Sequence, residues 1–187
     1  GIHDKYVDYT KITWKGKKFD EEELNQNLIS DERAEYIFSN WKKHKKTRTL
    51  AFCSSISHAD FMSDFFVKKN INAIAVHSKS NLSREESIKK LKNNEVDIIF
   101  SIDLFNEGID IPVVDTILMA RPTESKIIFL QQLGRGLRKA EGKDIVNIID
   151  FIGNHKSFLE KPSALFGFEL NHSNLREFFK NVKNNKL

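Results

Sequence analysis

The chain is short of the residues that make linkers and covalent staples. Its 187 residues include one cysteine, three prolines and eight glycines. The lone Cys53 excludes a disulfide framework and a cysteine-based zinc site. So little proline and glycine excludes a collagen-like or low-complexity chain, and a length of this order suggests one or at most two domains. No run of about 18 apolar residues occurs, which excludes a membrane-spanning helix. The opening stretch, Gly1 to Tyr9, has no apolar core of the kind a signal peptide carries. With one cysteine and no export signal in view, the expectation is an intracellular, cytoplasmic protein. The six histidines are scattered without metal-ligand spacing, so no metal site is expected on this chain.

What is present is a globular composition. Apolar residues make up 40% and charged residues 30%, with 15 phenylalanines. Disorder is excluded by that much core-forming material. Thirty basic against 26 acidic residues leave a net charge of +4. This permits an anionic partner without requiring one.

Residues 1–20 read as an edge segment, with Lys15-Gly16-Lys17-Lys18 as a turn. Asp20 to Glu23 opens a helix on its acidic side, and helical pattern continues to about Lys46, broken near Ser30-Asp31. From residue 49 short apolar runs alternate with helical stretches. Thr49–Cys53, Asn72–Val76, Val96–Phe100, Val114–Met119 and Ile145–Ile149 read as buried strands. Ser57-x-x-Asp60 and Ser83-x-x-Glu86 read as capping boxes that open helices. The first of these helices carries Phe61, Phe65 and Phe66 on one side. Ser125–Leu137 and about Ser173–Lys183 read as further helices. Apolar strands separated by helices mean an α/β fold with a mainly parallel sheet covered on both faces. Ligands of such sheets gather beyond the carboxyl ends of the strands.

Those ends are rich in small hydroxyl residues: Ser54-Ser55, His77-Ser78, Ser101, and Arg121-Pro-Thr-Glu-Ser125. Each serine alone suits a helix cap. Together on one edge they suit an anion-tracking surface. The strongest signal lies in Gln131-Gln-Leu-Gly-Arg135-Gly-Leu-Arg138. Gln131, Arg135 and Arg138 share one helix stripe, and Leu130, Leu133 and Leu137 form another. The two glycines weaken the helix by about 1 kcal/mol each relative to alanine, which a merely solvated helix would not need. Close approach of a ligand or backbone would account for them. Two arginines turned from the core suit a phosphate whose charge grows in a transition state. Cys53 reads as a small buried hydrophobe, Phe105 as packing, and Arg84 as half of an ion pair.

These residues resemble a known family. Phe52-Cys-Ser-Ser, then Ser101–Asp110 with Asn106-Glu-Gly-Ile-Asp-Ile-Pro112, then Gln131-x-x-Gly-Arg-Gly-x-Arg138, are similar to motifs IV, V and VI of superfamily 2 helicases, of the DEAD/DEAH type and like type III restriction Res subunits. The likeness covers about residues 48–155. It implies a RecA-like three-layer α/β sandwich over 48–187, ending in a C-terminal helix, with 1–47 as an edge segment and helical lead-in. It also implies a motor of two such domains with ATP and Mg²⁺ in the cleft between them. By the resemblance, Arg138 is the arginine finger and Arg135 a second phosphate-directed arginine. Gln131, Gly108 and Asp110 meet the nucleotide. Ser54, His77 and Ser101 fall in segments that touch nucleic acid, with Ser101 where the family usually has threonine.

Two motifs of a complete motor are missing. There is no G-x-x-x-x-G-K-[ST]; Gly136 to Gly142-Lys143-Asp144 is one residue too long and lacks the final hydroxyl. No Asp-Glu-x-Asp/His box occurs. The phosphate cradle, the Mg²⁺ carboxylates and the hydrolytic base are therefore expected on an N-terminal RecA-like domain of the same parent chain. The isolated chain is expected to be inactive. The partner the resemblance favours is double-stranded DNA, with no membrane. Two other readings stay open: a non-catalytic nucleic-acid-binding α/β module, and a flavodoxin-like small-molecule domain.

Overall fold

The computed structural model describes residues 1–16, 18–102, 114–122 and 146–153. The expected helices at 125–137 and 173–183 lie outside these residues, as does Phe105. The chain opens with strand β1 (Ile2–His3), a 3-10 turn at Tyr9–Lys11, and a hairpin of β2 (Trp14–Lys15) and β3 (Lys18–Phe19). Gly16 sits in the hairpin turn with φ of +66°, a conformation that side chains with a Cβ avoid.

Helix α1 (Glu21–Leu28) follows, capped by Asp20, whose carboxylate accepts the Glu22 and Glu23 N–H groups. Helix α2 (Asp31–His44) restarts at once, capped by the Ser30 hydroxyl. The break at Ser30-Asp31 is thus a new N-terminus. The basic end Lys42-Lys-His44 complements the dipole of the last turn.

Strand β4 (Thr49–Phe52), helix α3 (Ile56–Lys68), strand β5 (Ala73–Val76), helix α4 (Arg84–Lys92), strand β6 (Ile98–Ser101), strand β7 (Thr116–Met119) and strand β8 (Asn147–Ile152) complete the described elements. The two helices after β4 and β5 end alike. Asn70 and Asn94 take φ of 62° and 59°. Ile71 N–H donates to the Phe66 carbonyl, and Glu95 N–H to that of Lys90. These are Schellman closures with asparagine in the left-handed position. Ser83 and Glu86 form the expected capping box on α4. The cap of α3 is not the expected one. Ser55, not Ser57, accepts the His58 N–H, and Asp60 is turned away to another partner described below.

The six strands form one parallel sheet in the order β1-β8-β7-β4-β6-β5. Side chains alternate across it. Ala51, Cys53, Ile98, Phe100, Leu118, Ala120, Ile149 and Phe151 face α2 and α3, packing on Trp41, Ile37, Met62 and Phe66. Leu50, Phe52, Ile99, Ile117 and Met119 face the other side, with Leu91 of α4. Both faces are dry, which is why the strands read as unbroken apolar runs in sequence. Of the three phenylalanines of α3, Phe66 is fully buried while Phe61 and Phe65 lie at the core's margin. The result is a RecA-like three-layer α/β sandwich with a mainly parallel central sheet.

The first 47 residues are joined to this sheet by more than chain connectivity. β1 is its sixth strand, pairing Ile2 with Phe151. Trp41 of α2 is fully buried, and its indole N–H donates to the Thr49 hydroxyl at 2.9 Å. A smaller core of Val7, Tyr9, Ile12, Phe19, Leu24 and Leu28 gathers the hairpin onto α1.

Candidate functional site

Register brings five strand ends into one row. Asp150, Met119, Phe52, Ser101 and Val76 stand side by side across β8, β7, β4, β6 and β5. The chain leaves β4 toward β5 on one side and leaves β7 toward β8 on the other. The order therefore reverses between the carboxyl ends of β4 and β7, the usual place for a ligand in an open α/β sheet.

Three of the nominated residues reach this edge. Ser54 lies just past β4; its hydroxyl donates to Asn25 Oδ1 at 2.7 Å and lies 3.0 Å from His58 Nδ1. Ser101 ends β6, is 1% exposed, and accepts the Cys53 N–H on its carbonyl at 2.8 Å. His77 follows β5. Its Nδ1 accepts the Lys79 N–H at 3.2 Å, so the ring proton sits on Nε2, which is 2.8 Å from Asp60 Oδ1. Gly108, Asp110, Gln131, Arg135 and Arg138 lie outside the described residues. Arg84 stands exposed at the start of α4 and, contrary to expectation, makes no ion pair among the described residues.

At the switch point the structure adds a buried polar group that motif reading missed. Arg33 of α2 is 1% exposed. Its Nε and one terminal nitrogen both meet Asp4 Oδ2 at 3.0 Å. That terminal nitrogen also donates to the Ala120 carbonyl at 2.8 Å, just past β7. The Tyr9 hydroxyl donates to the same Asp4 oxygen at 2.9 Å. Burial pushes the Tyr9 phenol well above its usual range. A periodicity signal for Arg33 did exist. It falls on the buried stripe of α2 with Ala34, Ile37, Phe38 and Trp41, where an arginine must find an acceptor.

His58 is the second such residue. It is fully buried, and its Nδ1 accepts the Ser54 N–H at 3.3 Å. Among the described residues Nε2 meets no hydrogen-bond partner. Burial, followed by the charges of Arg33 and Arg121, holds the imidazole well below its ordinary titration range. Burial also pushes the Cys53 thiol up to about 12, so Cys53 is a packing residue and not a nucleophile. The Arg33 guanidinium is thus spent on Asp4 and on the Ala120 carbonyl. No group of three His, Cys, Asp or Glu among the described residues is disposed to hold a metal ion. No helix among the described residues is long and apolar enough to cross a membrane.

Comparison with known proteins decides the family. The family model described as the helicase conserved C-terminal domain matches residues 29–140. The chain belongs to this helicase C-terminal domain family. A putative ATP-dependent helicase, IRC3 of Saccharomyces cerevisiae, is 35% identical over 146 residues, covering 78% of this chain and 20% of that protein. UvrABC system protein B of Fervidobacterium nodosum is 32% identical over 110 residues, 56% of this chain and 17% of that protein. This helicase domain thus spans about a fifth of the length of the curated relatives it matches. Among solved structures, the E. coli DEAD-box protein SrmB bound to regulator of ribonuclease activity A superposes with a TM-score of 0.60 at 20% identity, over 73% of this chain and 80% of that one. The C-terminal domain of the DEAD-box protein Dbp5 gives 0.58 at 17% identity, over 84% and 93%. These likenesses show the RecA-like fold.

Proposed function

We propose that this domain is the second motor domain of an ATP-dependent helicase or translocase that acts on double-stranded DNA. In this reading Arg138 and Arg135 reach the nucleotide phosphates across a cleft, with Gln131, Gly108 and Asp110 beside them. The phosphate cradle, the Mg²⁺ carboxylates and the hydrolytic base belong to an N-terminal RecA-like domain of the parent chain. The single observation that carries the reading is the family match over residues 29–140, a span that contains both Gly108–Asp110 and Gln131–Arg138. ATP supplies a transferable phosphoryl group. The part assigned to this chain is to place positive charge where negative charge develops, which needs no acid, base or metal ligand of its own. DNA is chosen over RNA on the likeness of motifs V and VI to type III restriction subunits.

The test is made in the parent protein. Arg138→Ala should lower ATP turnover by about 10³-fold or more while ATP still binds. Unchanged turnover would overturn the arginine-finger role. The same assay with duplex DNA and duplex RNA as activators decides the strand: stimulation by RNA alone would replace DNA in this proposal. The 187-residue chain by itself should hydrolyse no ATP.

A further inference from the structure

Helices that connect parallel strands run back along the sheet, so α2, α3 and α4 all end at its amino edge. That edge lies opposite the one that carries Ser54 and Ser101. The last turns of the three helices bring Lys42 and Lys43, Lys68, and Lys89 and Lys92 to it. A helix dipole favours a cation in each last turn. It does not join one helix end to the next, and here they are joined. The Arg48 guanidinium, at the foot of β4, donates to Asn94 Oδ1 at 3.1 Å and to the Lys92 carbonyl at 3.3 Å. The Asn147 amide, at the foot of β8, donates to the His44 carbonyl at 2.8 Å. The end of α2 is thus fixed on one side of the sheet and the end of α4 on the other, with Arg48 between them.

The acids of this edge do not cancel its charge. The Asp115 carboxylate accepts the Thr47 and Arg48 N–H groups and the Thr116 hydroxyl. Asp97 accepts the Asn72 N–H at 3.2 Å. Glu95 pairs with Lys90, and Glu35 with Lys69. Lys42, Lys43, Lys68 and Lys92 are exposed, and among the described residues none of them meets an acid. What faces outward is therefore a band of lysines.

The kind of anion follows from what accompanies them. The backbone N–H groups beside the band are taken by Asp115, and helix C-termini offer carbonyls, so a small phosphate finds no cradle. A protein partner needs aromatic or apolar anchors, and lysine is depleted at the centre of such interfaces. No aromatic side chain is exposed at this edge among the described residues. Ammonium groups on flexible stems act as point charges. They suit a polyanion of high charge density, bound through released counterions without regard to sequence.

We propose that the amino edge is a second duplex-DNA contact, made by Lys43 and Lys92 on either side of Arg48 and separate from the carboxyl edge. It rests on the nucleic-acid reading above and adds to it a hold on flanking duplex. Because the nucleotide edge lies at the other end of the strands, this hold persists while contacts there change.

Lysine acetylation of the parent protein, with and without a saturating DNA duplex, tests the assignment. Duplex should slow acetylation of Lys43 and Lys92 several-fold. Replacing both by alanine should make the log–log salt dependence of duplex binding shallower by about 0.9 for each lysine removed and weaken binding several-fold. ATP turnover at saturating duplex should stay as in the unaltered protein. Full reactivity of both lysines under duplex, or an unchanged salt slope, overturns the contact; turnover still stimulated by duplex then leaves the nucleic-acid reading standing. A fall in turnover at saturating duplex would put the lysines in the motor track and overturn a separate contact. Polyglutamate that protects the two lysines as well as duplex does, at equal charge, overturns the choice of DNA. A parent protein that neither binds duplex nor is stimulated by it overturns both readings.

Discussion

Arg33 and His58 illustrate two ways of holding a base out of water. The Arg33 guanidinium, a group that never loses its charge in a protein, has its burial offset by Asp4, which also accepts the Tyr9 hydroxyl, and by the Ala120 carbonyl. Breaking a buried pair of this kind leaves an uncompensated charge and costs about 3–5 kcal/mol. Arg33→Ala should therefore lower the free energy of urea unfolding by that order, and a loss under 1 kcal/mol, the worth of an exposed pair, would show that water reaches Asp4. His58 takes the other course and stays neutral. Its folded titration point lies well below the ordinary value of 6.5, so between the two points only the unfolded chain binds the extra proton. Stability from this source is complete above pH 6.5 and drains away as the pH falls. His58→Asn offers its amide oxygen to the Ser54 N–H in place of Nδ1 and cannot titrate. Urea unfolding from pH 7 to pH 5 should show the acid-side slope flattened by about 1.4 kcal/mol per pH unit; an unaltered slope would mean that His58 charges freely in the fold.

Among the elements, strands were easier to read than helix starts, and α3 shows why. Leu50, Ala51 and Phe52 announce β4 because both sheet faces are buried, and a continuous apolar run needs no phase to be recognised. The start of α3 lies in Ser54-Ser55-Ile56-Ser57, where three hydroxyls compete. The acidic residue three places after Ser57 favoured Ser57 as cap. That rule weighs only local partners, and Asp60 has a distant one in His77, 17 residues on. With the acid drawn off, Ser55 caps the helix, and its hydroxyl lies 3.0 Å from that of Ser57. Ser55→Ala should cost about 1 kcal/mol, whereas Ser57→Ala should stay within about 0.5 kcal/mol of neutral. Thermal unfolding of the two variants compares them directly, and equal losses would contradict the assigned cap. The candidate site was legible to the same degree. Ser54, Ser101 and His77 lie at strand ends as expected because strand ends are predictable, while their hydrogen-bond partners Asn25, Cys53 and Asp60 come from elsewhere in the chain and leave no local trace.

At the scale of the molecule, the segment before residue 48 is where sequence pattern says least and packing most. Its two-residue strands are too short to show alternation, so β1 could not be recognised before its pairing with β8 was known. Its contribution is nonetheless large. Trp41, Ile37, Phe38 and Ala34 cover Ala51, Leu118, Ile149 and Phe151 on one face of the sheet. Each fully buried large side chain contributes roughly 1.5–3 kcal/mol, against a total stability of about 5–15 kcal/mol for a domain. The same segment carries Asp4, Tyr9 and Arg33, so it also sets the carboxyl end of β7 through the Ala120 carbonyl. A chain begun at residue 48 would bare that face and leave Thr49 without its indole donor. It should lose cooperative unfolding and bind a hydrophobic dye, while removal of residues 1–3 alone should uncover only the short β1 edge and keep a sigmoidal transition. Dye binding and urea unfolding of the two truncations separate these outcomes. A cooperative, dye-silent chain starting at residue 48 would show that the sheet and α3 hold themselves together without the lead-in.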